Sequence, residues 1–99
     1  MYYSITDMRR RNLAAGFHFF SPDAMRFFRS RILSDIRNLS DDSALFITSE
    51  KNGEEPRRYT LRRITDGGNV DTVGEFQAFT TPRQARRAML AYVLESVGR

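Results

Sequence analysis

Cysteine and tryptophan are absent from the chain, and lysine and histidine occur once each, as Lys51 and His18. Without cysteine there are no disulfides and no thiolate metal sites, which fits a reducing compartment; the cytoplasm is the expected location. No apolar run approaches the roughly 20 residues of a membrane span, so no membrane partner is expected. Met1–Asp7 does not have the charged-then-apolar order of a signal peptide. No His/Asp/Glu cluster has metal-ligand spacing. Gly67-Gly68 lacks the spacing of a phosphate-cradling loop and reads as a turn. His18 stands among Phe17, Phe19 and Phe20, the surroundings of a packed, hydrogen-bonded histidine rather than a base or ligand. Nothing local supports a Ser–His–acid arrangement around it. The acids fall mainly in turns and loops, where ionised carboxylates are solvated. The expectation is therefore a non-enzymatic protein with no catalytic residue, no metal and no cofactor.

What the chain does have is arginine and phenylalanine. Its 99 residues make one domain, 1–99, able to bury roughly 60–65% of its unfolded surface. With no tryptophan, the eight phenylalanines must supply much of the core. The net charge is +4 and the cations are almost all guanidinium. Guanidinium forks suit phosphate and carboxylate better than ammonium does. General arginine usage is the competing explanation, so where the charge falls decides more than its total.

Along the chain, Thr6 is a candidate cap for a helix from Asp7 to about Ala15, with Gly16 as its left-handed stop. Ser21-Pro22-Asp23 has the order of a second helix start. Around it, Phe17, Phe19 and Phe20, followed by Met25, Phe28 and Ile32 on one helical face, are expected to form a hydrophobic plug for the underside of a sheet. A base-stacking platform flanked by Arg26 and Arg29 is the sharper alternative. Arg31–Leu39 fits two periods: Met25, Phe28, Ile32, Ile36 and Leu39 have helical spacing, while Ile32, Ser34 and Ile36 alternate like a strand. Ser40–Ser43 is a turn, Ala44–Thr48 a buried strand, and Glu50–Pro56 an exposed connection.

Arg57–Thr65 has the β-branched and aromatic content of a strand, Asp66-Gly67-Gly68-Asn69 is a turn, and Val70–Phe79 returns as a second strand. Tyr59 and Leu61 share one face; Arg58, Thr60 and Arg62 share the other and are expected to reach outward with Glu75 and Gln77. The apolar residues switch parity at Gly74, which predicts a bulge or a close backbone approach there. In the last helix Thr81 and Gln84 have capping-box spacing, Pro82 takes the first helical position, and Ala85, Ala88, Met89, Tyr92 and Val93 form one stripe. Arg83, Arg86 and Arg87 gather at its amino end, against the dipole. That placement calls for an external anion or for pairing with Glu75 or Asp71.

Four stretches carry a resemblance: His18-Phe19-Phe20-x-Pro22-x-x-Met25-Arg26-Phe27-Phe28-x-Ser30-Arg31-Ile32, Phe46–Glu50, Pro56-Arg57-Arg58-Tyr59-Thr60-x-Arg62, and Asp71–Gln77. In this order they resemble a family of small uncharacterised proteins found in phages, plasmids and prokaryotic genomes, over about residues 12 to 90. The resemblance implies a common fold and a strand opening at Arg31; it brings no activity. This chain departs from the pattern in a longer, more helix-like segment from Ile32 to Leu39. At the level of architecture, three strands followed by a helix are similar to AP2/integrase-type DNA-binding domains, and an αβββα order to double-stranded-RNA-binding domains, both associations of fold alone.

The expected fold is α+β: an antiparallel three- or four-stranded sheet with N-terminal helices and a C-terminal helix packed on one face. The leading functional expectation is a nucleic-acid-binding accessory protein. In it Arg58 and Arg62 meet phosphates or base edges, and Arg83, Arg86 and Arg87 hold backbone phosphates of DNA or RNA. The rival is a protein-binding module, a phage- or plasmid-encoded modulator of a host complex. It rests on the aromatic Phe17–Phe28 segment and the mixed charge of the sheet. A homodimer through an open sheet edge or the aromatic plug fits either reading.

Overall fold

Ser4 decides where the chain first becomes helical. The computed structural model describes residues 4–20, 31–51 and 53–97. In it Ser4 is extended and its hydroxyl accepts the Asp7 N–H at 3.2 Å, so helix α1 spans Ile5–Ala14 rather than starting behind Thr6. The reason is the Ser4-Ile5-Thr6-Asp7 spacing, which sets an acid in the first turn, near the positive end of the dipole, where it also pairs with Arg10. Gly16 ends the helix with φ +86°, as expected, and the N–H groups of Ala15, Gly16 and Phe17 close back onto Arg11, Leu13 and Asn12 carbonyls. The expected helix start at Ser21-Pro22-Asp23, the Met25 and Phe28 face and the Arg26/Arg29 flanks lie outside the described residues.

The segment that fitted two periods is a strand. β1 (Arg31–Asn38) pairs antiparallel with β2 (Ala44–Glu50), with Ile36 opposite Phe46 and Asn38 opposite Ala44. The register slips between Ile32 and Ile36. The helical reading of Ile32–Leu39 fails because alternation seats Ile36 in an apolar cluster with Phe46. The strand opens at Arg31, as the resemblance implied. Leu39 N–H donates to the Ser43 carbonyl at 2.8 Å, and Asp42 takes φ 63° to close the hairpin.

β3 (Arg58–Ile64) pairs along the full length of β2, and β4 (Val70–Thr72) pairs with the end of β3, giving a four-stranded antiparallel sheet in the order β1-β2-β3-β4. The return strand expected to run to Phe79 stops at Thr72. Gly74 (φ +79°) and Gln77 (φ 57°) turn the chain out of the ladder, and it rejoins only at a bridge between Tyr59 and Phe79. The parity switch at Gly74 marks this excursion. Its far end is tied down by the Gln77 N–H, which donates to Thr60 Oγ1 at 2.9 Å.

Both faces of the sheet are covered. α2 (Pro82–Val97) lies on the face that carries Leu45, Ile47 and Leu61, and its stripe of Ala85, Ala88, Met89, Tyr92 and Val93 joins them as expected. Thr81 Oγ1 accepts the Gln84 N–H at 3.2 Å; Gln84 Oε1 reaches back one residue beyond the cap, to the N–H and hydroxyl of Thr80, both at 2.9 Å. On the opposite face α1 and the turn after it close a second cluster of Met8, Ala44, Phe46 and Ile64, with Phe19 and Phe20 against Phe46. Two aromatics of the predicted plug thus sit on the sheet, on the side away from α2.

α1 is docked by one amide and one glycine. Asn12, buried, donates from Nδ2 to the Gly68 carbonyl at 2.7 Å and accepts the Phe19 N–H on Oδ1 at 3.2 Å. Gly68 has φ +85°, and a Cβ there would lie 2.6 Å from the Arg11 carbonyl oxygen. Only glycine satisfies both the turn and this contact.

Candidate nucleic-acid interface

The five arginines named from the sequence do not converge; the sheet separates them. Arg58 and Arg62 share the face of Phe46 and Thr48, the side of the sheet on which α1 and Phe19 pack. Arg83, Arg86 and Arg87 ride on α2, on the other side.

Arg62 does not reach outward. Its side chain is only 12% exposed and lies 3.1 Å from Oε1 of Glu50, which is 1% exposed. Nε donates to Thr48 Oγ1 at 3.1 Å and Nη1 to Thr72 Oγ1. Glu50 in turn accepts the Thr48 hydroxyl on Oε1 and the Thr60 hydroxyl on Oε2 at 2.9 Å. The guanidinium carbon is 5.3 Å from the ring centroids of both Phe19 and Phe76, a cation–π arrangement on each side. Among the described residues no buried side-chain polar atom is left without a partner. A buried charge pair of this kind is tolerable only when fully hydrogen-bonded. The sequence reading erred on Glu50: it closes β2 and is buried, and does not belong to an exposed connection. Thr60 and Arg62 are 10 and 12 residues away and meet it only through the β2–β3 register. The four stretches that carry the resemblance supply Phe19, Thr48, Glu50, Thr60, Arg62, Thr72 and Phe76. They converge here.

Arg83, Arg86 and Arg87 do come together, and Arg37 joins them. Arg37 projects from edge strand β1 on the face of Leu45, toward α2. With Arg83, Arg86, Arg87 and Leu90 it lines one open groove of about 500 Å³. Arg83, Arg86 and Arg87 stand at i, i+3 and i+4, the spacing that gathers side chains on one helical face. All four arginines are exposed. Among the described residues Arg37, Arg83 and Arg87 form no ion pair, and for Arg83 and Arg87 the expected pairing with Glu75 or Asp71 is not made. Arg37 was hidden because a helical period for Ile32–Leu39 gives it no defined face; strand parity relative to Leu45 would have found it.

At the far end of the β1–β2 hairpin, Asp41 is held below the usual carboxylate pKa, chiefly by the Ser43 hydroxyl donating to it and further by Arg63. No group of three or more His, Asp or Glu side chains among the described residues is placed to hold a metal ion. No helix among them is long and apolar enough to cross a membrane.

These features define a small α+β protein with a charged interior on one side of its sheet and a basic groove on the other. The chain belongs to DUF7447, a family of unknown function, whose model matches residues 4–90. No curated protein and no solved structure matches the chain.

Proposed function

We propose that this protein is a non-enzymatic, cytoplasmic accessory protein that binds nucleic acid through the groove formed by Arg37, Arg83, Arg86 and Arg87. The observation that carries the reading is the convergence of four exposed guanidinium groups, from an edge strand and a helix, on one open concavity. Helix α2 places three of these cations in its first turns, where the dipole opposes them by a few tenths of a kcal/mol each. A polyanion in the groove offsets that cost. Arg62 is committed to Glu50 and takes no part; Arg58 faces away from the groove.

If four phosphates are engaged on a duplex, log affinity falls with a slope of about −3.6 against log salt, a loss of about 150-fold between 50 and 200 mM. Fluorescence anisotropy of a labelled duplex tests this. The triple variant R37Q/R83Q/R87Q is expected to lose that binding at 50 mM salt while keeping its thermal midpoint, because exposed substitutions rarely move stability by more than about 0.5 kcal/mol. A wild-type protein that does not bind at 50 mM, or whose affinity ignores salt, ends the reading.

One observation favours a second reading, a protein-binding module such as a phage- or plasmid-encoded modulator of a host complex. Leu90 and Leu94 are 50% and 63% exposed, one turn apart on α2 and beside the basic groove. Capture of host partners with nuclease treatment separates the two: partners that survive nuclease favour the protein module, and partners that vanish favour nucleic acid.

A further inference from the structure

Resting on the nucleic-acid reading of the same groove, we infer that it grips the phosphodiester backbone itself and leaves the bases unread. The groove's described lining is Arg37, Arg83, Arg86, Arg87 and Leu90. Guanidinium only donates hydrogen bonds, and leucine does neither. Phosphodiester oxygens only accept, so donors alone complement them fully. Base edges mix donors with acceptors, and discrimination among them takes acceptor side chains as well. The described lining has no carboxylate, amide or hydroxyl to accept from adenine N6 or cytosine N4.

Stacking is missing too. Sequence-tolerant capture of single-stranded bases uses aromatic faces, and the groove's described lining has none. The nearby aromatics Tyr59, Phe79 and Tyr92 pack against the apolar cluster beneath α2. The groove is open, so a polymer can run through it without presenting an end. The one base contact within reach is arginine to guanine O6 and N7, and guanine is therefore part of the test.

The experiment is a titration of the full chain against labelled 20-mers followed by anisotropy. The probes are oligo(dT), oligo(dA), a guanine-rich strand, a mixed sequence as DNA and as RNA, and the mixed sequence as peptide nucleic acid with its uncharged backbone. The expected result is affinities within tenfold across all charged strands, DNA or RNA, and binding more than tenfold weaker to the uncharged strand. A preference beyond tenfold for any base composition or sugar overturns the inference, as does uncharged-strand binding within tenfold of its charged counterpart; in both cases nucleic-acid binding itself stands. Failure of every strand at 50 mM salt instead removes the parent reading. R37Q is expected to shallow the single-strand salt slope by about 0.7, one phosphate contact, while R58Q, on the opposite face, leaves it unchanged. A slope that R58Q shifts and R37Q does not overturns the assignment to this groove.

Discussion

The two faces of the sheet solve the same burial problem in different ways. Beneath α2, Leu45, Ile47 and Leu61 meet Ala85 and Met89 in an apolar layer, and the charges stay at its rim. Beneath α1, the apolar cluster around Phe46 fills one end and then gives way to Glu50, the only fully buried charged side chain among the described residues. Length accounts for much of the contrast. α2 has 16 residues and spans its face, whereas α1 has ten and docks beside the β3–β4 turn. The far end of the α1 face is closed by Phe19, Phe76 and a hydrogen-bonded charge pair. Apolar area stabilises one side; complete pairing is the condition for stability on the other.

The sharpest break of this comparison is Glu50→Ala. It strands the Arg62 guanidinium and leaves the Thr48 and Thr60 hydroxyls without their acceptor, at an expected cost of about 3–5 kcal/mol. The double variant E50L/R62M is expected to recover most of that loss, because a buried pair exchanged for apolar side chains is often neutral. Urea midpoints from far-UV circular dichroism supply the numbers in a protein without tryptophan. A double variant no more stable than Glu50→Ala means that the two charges are not coupled, and the contrast between the faces fails.

Next in size is Gly68→Ala. The turn keeps φ +85° and the new methyl meets the Arg11 carbonyl, so a loss of about 1–3 kcal/mol is expected. Amide exchange distinguishes the faces: protection should drop in α1 and hold in α2 until global unfolding. Equal loss in both helices would show that the faces unfold together.

The smallest effect concerns Asp41. Its pKa is lowered in the folded protein, so its stabilising contribution is whole above the ordinary aspartate value of about 3.9 and is lost as pH falls through the lower folded value. The stability difference between wild type and Asp41→Asn should therefore be wider at pH 6 than at pH 2.5. A difference that does not change with pH removes the Ser43 and Arg63 contacts from the account.

How much of this was legible follows from what each feature depends on. α2 could be read from local signs, because Thr81, Pro82 and the Ala85–Val93 stripe act within a turn or two of one another. The Gly16 stop and the Asp66–Asn69 turn were legible for the same reason, since positive φ announces itself through glycine. β1 was not, because Ile32 and Ile36 satisfy both periods, and only the partner Phe46 decides. That one ambiguity also hid Arg37 and with it half the reason for a basic groove. The Glu50–Arg62 pair was misread because burial of charge depends on strand register, and register is a relation between distant residues.

The Asn12–Gly68 contact joins positions 56 residues apart. A ribosome therefore delivers α1 long before the turn that receives it. The helix has ten residues, too few to hold its shape alone in water. Its dock is the β3–β4 turn, so α1 is expected to become native only once β3 and β4 have paired.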